Sequence, residues 1–199
     1  MVRIFHRACM AAATRLLAAG ALLAGAGAGL PAQSLPDGLA RAVTFRHVGP
    51  VGNRVSAVAG VPGDPNVYYL GAASGGIWRS TDGGHAWEPI FDGEPVQSIG
   101  DLALAPSDPR VIWAGSDDGY VQITRDGGAT WKNVTPPDAP DFVRINTIEA
   151  SPTTPGKAYV AGIRYLVDDD RRPYVWRTED YGETWVKITS GIPADDFVR

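Results

Sequence analysis

Three copies of one eight-residue pattern constrain this chain more than any other feature. The pattern has Ser or Thr at its first position, Asp at the third, Gly at the fifth and Trp at the eighth. The copies, each called a box below, are STDGGHAW at 80–87, TRDGGATW at 124–131 and TEDYGETW at 178–185. Self-similarity along a chain is the signature of a repeat architecture, so the sequence is interpreted as a series of equivalent units.

The segments around each box repeat as well. Each unit has a run from a β-branched residue to Pro, an apolar run closed by Gly, a run that leads into the box, and a short segment after Trp. The first two kinds of segment are VSAVAGVP, IGDLALAP and INTIEASP, followed by VYYLG, VIWAG and AYVAG. Short runs rich in Val, Ile, Tyr and Trp, separated by Pro, Gly and Asp, predict four β-strands in each unit.

Four strands in a unit of about forty-five residues are typical of a β-propeller blade. We expect an all-β fold of four-stranded antiparallel blades at 45–199, with complete blades at about 50–94, 95–140 and 141–194. A fourth blade would begin at 195–199, because the terminal FVR repeats an FVR that opens the third blade. Three blades do not close a ring, so we expect an open array or a fragment of a longer protein, whose remaining blades would be partners. The segment 42–49 would then supply a strand to the last blade.

Each residue type of the box has a structural use in a turn between a third and a fourth strand. Asp accepts hydrogen bonds from the amides ahead of it, Gly adopts a positive φ without steric cost, and the Ser or Thr hydroxyl bonds to the same turn. Trp buries a large ring under the hairpin. A catalytic set occurs once, whereas a device that builds blades recurs. We therefore assign structural roles to Ser80, Asp82, Gly84, Trp87, Thr124, Asp126, Gly128, Trp131, Thr178, Asp180, Gly182 and Trp185.

The pattern S/T-x-D-x-G-x-x-W resembles the Asp-box of the bacterial neuraminidase repeat. Asp-boxes occur in sialidases, in xyloglucan-degrading glycoside hydrolases and in sortilin-type receptors with β-propellers. The context GPVGNRVSAVAGVPGDPNVYYLGAASGGIWRSTDGGHAW, followed by SIGDLALAPSDP, is most similar to large secreted bacterial proteins described as sortilin N-terminal-like or as glycosyl hydrolases. The resemblance covers residues 45–199 and implies a β-propeller, but a fold of this kind does not imply an activity.

The first thirty-two residues differ in composition from the rest of the chain. Three arginines and no acidic residue precede an uncharged run of Leu, Ala and Gly at 16–30, and PAQS follows. This layout predicts a secretory signal peptide at 1–32 and a linker at 33–44, with an uncleaved membrane anchor as the alternative. A secreted or periplasmic location follows from the signal peptide.

Charge and cysteine content narrow the possible functions. The formal net charge is −4 and no basic cluster occurs, so no nucleic-acid partner is expected. The one cysteine, Cys9, lies in the predicted signal peptide, so the mature chain has neither a disulfide nor thiol chemistry. Zinc spacings, phosphate-binding glycine loops and catalytic triad patterns are missing from the sequence, and we expect no cofactor. Membrane contact is expected only through the signal segment.

Two residues outside the boxes are candidates for catalysis. Arg46 follows Phe45, as in the first arginine motif of sialidases, and is either a substrate ligand or an arginine on a strand surface. Asp101 lies in a predicted first strand, and first strands line the central channel where propeller ligands bind. Other carboxylates, mostly beside Pro or Gly in predicted turns, are Asp64, Asp108, Asp117, Asp118 and Glu149.

An insertion at 163–173, between the second and third strands of the third unit, carries an acidic run. The run consists of Asp168, Asp169 and Asp170. Its oxygens are candidate calcium ligands, but the run lacks the alternating spacing of a calcium loop and two arginines follow at once, so a solvated loop is the alternative. With Tyr165 and Tyr174, the insertion is expected to form a lip over one face of the propeller.

Two functions from different classes remain. The first is a binding scaffold that presents blade loops to a protein, peptide or glycan, because every repeated residue has a structural use. The second is a glycoside hydrolase, sialidase-like or xyloglucanase-like, whose catalytic carboxylates lie partly outside this chain. A hydrolase of this kind needs two facing carboxylates, and its support here is the family resemblance alone.

Overall fold

A computed structural model describes residues 54–198 of the chain. The predicted signal peptide, the linker, the strand at 42–49 and Arg46 lie outside the described residues. Within them the chain forms three antiparallel sheets of four strands each. The predicted all-β architecture of four-stranded antiparallel blades is confirmed, and the ring is incomplete.

Each sheet is built from four strands that are consecutive in the chain and adjacent in space. The first sheet contains β1 (Val55–Gly60), β2 (Tyr68–Ala72), β3 (Ile77–Ser80) and β4 (Glu88–Pro89). The second contains β5 (Ile99–Leu104), β6 (Ile112–Ser116), β7 (Val121–Thr124) and β8 (Lys132–Asn133). The third contains β9 (Arg144–Ala150), β10 (Ala158–Arg164), β11 (Asp170–Thr178) and β12 (Val186–Lys187).

The antiparallel order places the connections alternately at two ends of the sheets. The turns between first and second strands and between third and fourth strands, which include the boxes, lie at one end, called the box end. The connections between second and third strands, and those that lead from one sheet to the next, lie at the opposite end, called the loop end. The boxes and the insertion are therefore at opposite ends of the molecule's sheets.

A β-bulge interrupts the pairing of the first two strands in every sheet. One residue of each first strand, namely Ser56, Gly100 or Asn146, is skipped in the register. As a result Thr147 pairs with Ala161, in the way that Asp101 pairs with Gly115. Alignment of the three repeats by the Gly that closes each apolar run makes Gly162 the equivalent of Gly71 and Gly115. The strand register makes Ala161 their equivalent instead. Because the bulge occurs at the same place in all three sheets, this difference lies in the sequence of the third unit, whose glycine comes one residue later.

The insertion in the third sheet is more regular than the expected loop. β10 and β11 extend into it, and a single helical turn, α1 (Tyr165–Asp168), connects them. Tyr174 lies in β11 and is buried, so it is part of the core and not of a lip. No helix among the described residues is long and apolar enough to cross a membrane.

The core consists of two clusters, one at each junction between sheets. The first joins Tyr69, Ile77 and Phe91 of the first unit to Ile99 and Leu102 of the second. The second cluster is formed in the same way from the second and third units. It includes Trp113, Val121, Ile145, Ile148, Val160 and Trp176. Packing between sheets, more than within one sheet, buries the apolar side chains of the repeat.

Candidate functional site

The three boxes form the same turn in each sheet. The Ser80 hydroxyl accepts a hydrogen bond from the amide of Gly84 and donates one to the carboxylate of Asp82, both at 2.8 Å. The hydroxyl-to-glycine-amide distances in the second and third boxes are 2.9 and 3.0 Å. The glycines at this position have φ values of +82°, +97° and +80°, a region that is unfavourable for other residues.

The aspartates of the second and third boxes are held by a threonine four residues ahead. Asp126 accepts hydrogen bonds from the Thr130 amide at 2.9 Å and from its hydroxyl at 2.6 Å, and Asp180 makes the same pair with Thr184. These bonds stabilise the charged form of the carboxylate. They lower the pKa of Asp126 to about 2, with the Thr130 hydroxyl as the largest cause. The pKa of Asp180 is also lowered, mainly by the Thr184 hydroxyl.

The first box has Ala86 where the others have threonine. Asp82 accepts hydrogen bonds from the amides of His85 and Ala86, at 2.8 and 2.9 Å, but receives no hydroxyl from ahead. Its pKa is lowered chiefly by the Ala86 amide. In every box the carboxylate is bonded to its own turn, and the three turns belong to three different sheets.

A main-chain hydrogen bond ties each box to the neighbouring turn at the box end. The residue after each box aspartate donates its amide to a carbonyl in the connection between the first and second strands. The three bonds are Gly83 to Asn66, Gly127 to Arg110 and Tyr181 to Gly156, all at 2.9 Å. The box therefore fastens the two turns of its own sheet to each other.

The box tryptophan reaches the preceding sheet. The indole Nε1 of Trp131 donates to the carbonyl of Ile90 at 2.8 Å, and that of Trp185 donates to the carbonyl of Val134 at 2.7 Å. The Trp131 ring also packs edge-to-face on Phe91, with ring centroids 4.9 Å apart. From the sequence we expect this ring to lie under its own hairpin. In the structure its indole nitrogen instead donates to a carbonyl about forty positions earlier, at the end of the preceding unit.

The box glycine contacts the same residue of the preceding sheet. A Cβ atom at Gly128 would lie 2.5 Å from Cδ1 of Ile90, and one at Gly182 would lie 2.6 Å from Cβ of Val134. Glycine is therefore needed here for close approach as well as for its positive φ. The recurrence of an apolar residue three positions after each tryptophan was the sequence signal for this contact.

Asp101 is engaged in a contact between sheets. Its Oδ2 accepts a hydrogen bond from the amide of Ile148, in the first strand of the third sheet, at 2.7 Å. The carboxylate thereby joins β5 to β9. Asp101 therefore stabilises the contact between two sheets, just as each box aspartate stabilises its own turn.

Each carboxylate of the acidic run is paired with an arginine. The pairs are Asp168 with Arg164 at 2.6 Å, Asp169 with Arg171 at 3.0 Å and Asp170 with Arg172 at 2.6 Å. Among the described residues, no group of three or more His, Cys, Asp or Glu side chains is arranged to hold a metal ion. The run serves as a set of ion pairs within the insertion.

Asp170 has the most strongly perturbed environment of the three. Its side chain is nearly buried and accepts a hydrogen bond from the Tyr174 hydroxyl at 2.6 Å. The bond with Arg172 is the largest cause that holds the pKa of Asp170 well below its usual range. Burial, and then the bond to Asp170, raises the pKa of Tyr174 to about 12. These contacts anchor the insertion to the core.

A group of large apolar side chains is exposed at the loop end. They are Tyr120, Phe142, Leu166 and Val167, and they are called the loop-end surface below. Two open cavities flank Phe142: one of about 470 Å³, which Tyr120 also lines, and one of about 350 Å³, which Leu166 and Val167 line. Phe142 lines both cavities, so the four residues form one continuous surface from the second sheet to the insertion.

Phe142 is held in an unfavourable backbone conformation while its ring is exposed. Its φ is +59°, and 58% of the residue is accessible to solvent. A residue with a Cβ atom in this region costs about 1–2 kcal/mol, and an exposed ring offsets little of that cost. The adjacent turn, in which the amide of Val143 donates to the carbonyl of Pro140 at 3.2 Å, fixes this geometry. Strain of this kind is concentrated at functional sites.

Charged residues surround the loop-end surface. Asp118 and Asp141 line the larger cavity. The smaller cavity is lined by an ion pair between Arg144 and Asp117, 2.8 Å apart. Arg164 closes the gap between the two segments by donating to the carbonyl of Asp141 at 3.0 Å. An apolar centre with a charged rim is the composition of an interaction surface.

Sequence reasoning located only part of this surface. The insertion was recognised as a loop that reaches one face, but Tyr120 and Phe142 were not singled out. Phe142 was interpreted only as the start of a strand, because its positive φ leaves no trace in the residue type. Strain at an aromatic residue has to be observed in the backbone.

Comparison with protein families gives one match. The family model of Sortilin-Vps10, described as sortilin, neurotensin receptor 3, matches residues 75–198. This range covers more than half of the chain and includes all three boxes. No curated protein matches the chain.

Solved structures with a similar fold include an ancestral GH74 enzyme, with a TM-score of 0.57 and 22% identity over 72% of this chain. The protein YCF48 bound to D1 peptide is similar with a TM-score of 0.53 and 17% identity over 73% of the chain. A chain of a nidogen–laminin complex gives 0.51 and 19% over 67%. The chain spans 20%, 45% and 47% of the lengths of these three proteins, in that order. At these identities the likeness is one of fold, and the fold is of the β-propeller type.

Proposed function

Because this chain belongs to the Sortilin-Vps10 family, we propose that it is a binding scaffold whose loop-end surface receives a protein or peptide ligand. We also propose that the three boxes are Asp-boxes whose role is to stabilise the blades. The proposal also includes a secreted or periplasmic location, which rests on the composition of residues 1–32.

The exposed, strained Phe142 is the observation that carries the proposal. A ring that is 58% exposed at a φ of +59° contributes little to folding and is accessible to a ligand. Tyr120, Leu166 and Val167 extend the apolar surface around it. Aromatic anchors of this kind supply most of the free energy of binding in protein interfaces.

The charges on the rim favour a ligand that combines an apolar group with a cation. Asp118 and Asp141 line the same cavity as Tyr120 and Phe142. A lysine or arginine of the ligand would meet both a carboxylate and an aromatic face there. The arginines nearby, Arg144 and Arg164, already have acidic partners. We therefore propose a polypeptide segment with an apolar residue next to a basic one.

Two of the similar structures are complexes with polypeptides, namely YCF48 with D1 peptide and nidogen with laminin. They support a polypeptide ligand for a propeller of this type by analogy. A glycan that stacks on the aromatic rings is the other ligand class, and the experiment below separates the two.

A glycoside hydrolase is the second candidate, supported by the fold shared with the GH74 enzyme. Retaining and inverting hydrolases require two carboxylates that face each other across the substrate. Asp101 is occupied by the Ile148 amide and the box aspartates by their own turns. The scaffold is therefore the proposed function, and hydrolysis is an outcome to be tested.

The proposal is tested by incubating the labelled chain with an array of peptides that carry paired apolar and basic residues, and with an array of plant and sialylated glycans. We expect binding to peptides and its loss in Phe142→Asn, because asparagine tolerates the positive φ but removes the ring. Val186→Ser, which removes an exposed apolar side chain elsewhere, is the matched control and should bind normally.

Two results would contradict the proposal. Binding that is unchanged in Phe142→Asn would move the site away from the loop-end surface. Release of reducing sugar from xyloglucan, lost in Asp101→Asn, would establish the hydrolase instead.

A further inference from the structure

The larger cavity of the loop-end surface lies at the junction between the second and third sheets. Tyr120 directly precedes the third strand of the second sheet, and Phe142 lies four residues before the bulge in the first strand of the third sheet. The first and second sheets meet at a junction of the same kind, where Gly76 and Val96 take these two positions. The two junctions can therefore be compared position by position.

The first junction is closed at the positions where the second is open. Val96 is 7% exposed, whereas Phe142 is 58% exposed. The side chain of Gln97 fills the space beside Gly76, since a Cβ atom there would lie 2.7 Å from its Oε1, and its Nε2 donates to the carbonyl of Glu94 at 3.0 Å. Two sheets of this repeat thus pack on each other without exposed aromatic rings at the loop end.

The cavity at the second junction carries negative charge that the described residues do not balance. Asp118 and Asp141 line it, and none of its described lining residues is basic. Within the part of the chain that the structure describes, neither carboxylate group makes a hydrogen bond or an ion pair. Arg144, in the neighbouring smaller cavity, is already paired with Asp117 at 2.8 Å. The larger cavity is therefore suited to a cation supplied by a ligand.

Two aromatic rings with fixed backbones stand beside these carboxylates. The amide of Tyr120 donates to the hydroxyl of Ser116 at 3.0 Å, and its carbonyl accepts from the Ser116 amide at 2.9 Å. Ser116 itself is 2% exposed. On the other side of the cavity, Arg164 donates to the carbonyl of Asp141, directly before Phe142. The rings of Tyr120 and Phe142 are thus accessible to a ligand while their backbones are held in place.

This combination of groups distinguishes between the two basic side chains. A guanidinium is planar and weakly hydrated, stacks on aromatic rings, and has five donors that can bond to two carboxylates at once. An ammonium is compact and strongly hydrated, so it loses more when it exchanges water for an aromatic surface. Two exposed rings beside two unpaired carboxylates therefore favour the guanidinium.

We propose that the larger cavity is an arginine pocket, in which the guanidinium of a ligand arginine lies against the rings of Tyr120 and Phe142. The same guanidinium bonds to the carboxylates of Asp118 and Asp141. The apolar residue of the ligand then lies on the other side of Phe142, in the smaller cavity. This inference rests on the proposed function, and it adds which basic residue is recognised and which side chains recognise it.

The experiment titrates the full chain with hexapeptides that differ at one position. The sequence is Gly-Ser-Xaa-Leu-Ser-Gly, with arginine, lysine or citrulline at Xaa, and a second set has leucine before Xaa. Both ends are capped, so that no terminal charge takes part. Citrulline has nearly the shape of arginine without its charge, so it isolates the contribution of the cation. Isothermal titration calorimetry measures dissociation constants up to about 1 mM for each peptide.

We expect the arginine peptide to bind about threefold more tightly than the lysine peptide, and about tenfold or more tightly than the citrulline peptide. Asp118→Asn and Asp141→Asn should each weaken the arginine peptide by about fivefold and leave the citrulline peptide unchanged. A loss that depends on both the carboxylate and the guanidinium indicates direct contact, because the effects of independent sites are additive.

Tyr120→Leu tests the contribution of the ring, since it keeps an apolar side chain and removes the aromatic face. We expect this variant to bind the arginine and lysine peptides with equal affinity. Asp92→Asn is the matched control, because Asp92 is an exposed carboxylate at a different cavity, and it should bind all peptides as the wild type does. Circular dichroism of each variant establishes that it is folded.

Equal affinity of the wild type for arginine and lysine peptides would overturn the arginine pocket and leave the proposed function standing. A loss in Asp118→Asn and Asp141→Asn that is the same for arginine and citrulline peptides would do so as well. Binding of none of the peptides would also overturn it, whereas the array with Phe142→Asn decides the proposed function separately.

Discussion

The box end and the loop end of the sheets are built on different principles. At the box end the three sheets are nearly identical, with hydroxyl-to-amide bonds of 2.8, 2.9 and 3.0 Å in the three boxes. At the loop end they differ: the second and third strands are joined by residues 73–76 and 117–120 in the first two sheets, and by α1 with two longer strands in the third.

This contrast shows which end of each repeat is constrained by its neighbours. Each box must fit both its own turn and the sheet before it, so the same residue types are needed in every unit. The loop end also contacts the next sheet, as the pair of Asp117 with Arg144 shows, but it does so without a repeated pattern, and there the chain places an exposed aromatic residue and an insertion. A residue that recurs is therefore expected to affect stability, and one that occurs once at the loop end is expected to affect binding. The predictions below test this division.

The largest expected effect is that of Trp131→Ala. The substitution removes the ring that packs on Phe91 and the bond to Ile90, so we expect the free energy of unfolding to fall by about 3 kcal/mol or more. Urea denaturation followed by circular dichroism measures it. Phe142→Ala, which also removes a large aromatic ring but at the loop end, should change stability by less than about 0.5 kcal/mol. Equal losses would contradict the division between the two ends.

The next effect is that of Gly128→Ala. The new Cβ atom would lie 2.5 Å from Cδ1 of Ile90 at a φ of +97°, so we expect a loss of about 2 kcal/mol from strain and overpacking. Gly93→Ala is the control, because no atom lies within 4 Å of a Cβ atom there. If the two variants unfold at the same urea concentration, the glycine is not needed for contact between sheets.

Phe142→Gly should raise the stability of the chain, whereas the two substitutions above lower it. Glycine relieves the strain of a positive φ, and we expect the chain to gain about 1 kcal/mol of stability while peptide binding is lost. Phe142→Ala keeps the strain and should lose binding without gaining stability. Denaturation and the peptide array measured on the same preparations decide the matter; a stability loss in Phe142→Gly would show that the ring supports the fold.

A smaller gain is expected from Ala86→Thr. The new hydroxyl would give Asp82 the bond that Thr130 gives to Asp126, so the unfolding midpoint in urea should rise slightly. The pKa of Asp82, followed by NMR titration, should fall further as a result. Ala86→Val, which has the same shape without the hydroxyl, should leave this pKa unchanged.

The smallest effects are those of acid on the boxes. The pKa of Asp126 is about 2 in the folded chain, below the ordinary value of 3.8. A group whose folded pKa is lowered contributes stability above its ordinary pKa and loses it as the pH falls through the folded value. We therefore expect the unfolding midpoint in urea to decrease between pH 4 and 2, in the range given by these two pKa values. Asp126→Asn should reduce this dependence, and an unchanged slope would contradict the assignment.

The sequence predicted the features that are local to a turn and missed those that depend on packing. Asp82 and Gly84 lie in one turn, which their spacing alone defines. The bond from Trp131 to Ile90 joins two units, and a pattern within eight residues contains no information on its partner. The bulge at Asn146 and the positive φ of Phe142 were missed for a similar reason: both are imposed by neighbouring segments and not by the residue itself.

The anchoring of the insertion by Asp170 bears on how a ligand would be received. Asp170 holds Arg172 and Tyr174 at 2.6 Å each, so the segment that carries Leu166 and Val167 is positioned before any ligand arrives. A receptor organised in advance loses little conformational entropy on association. Recognition at this end of the molecule would then resemble a rigid fit, with fast capture and an affinity governed mainly by the rate of release.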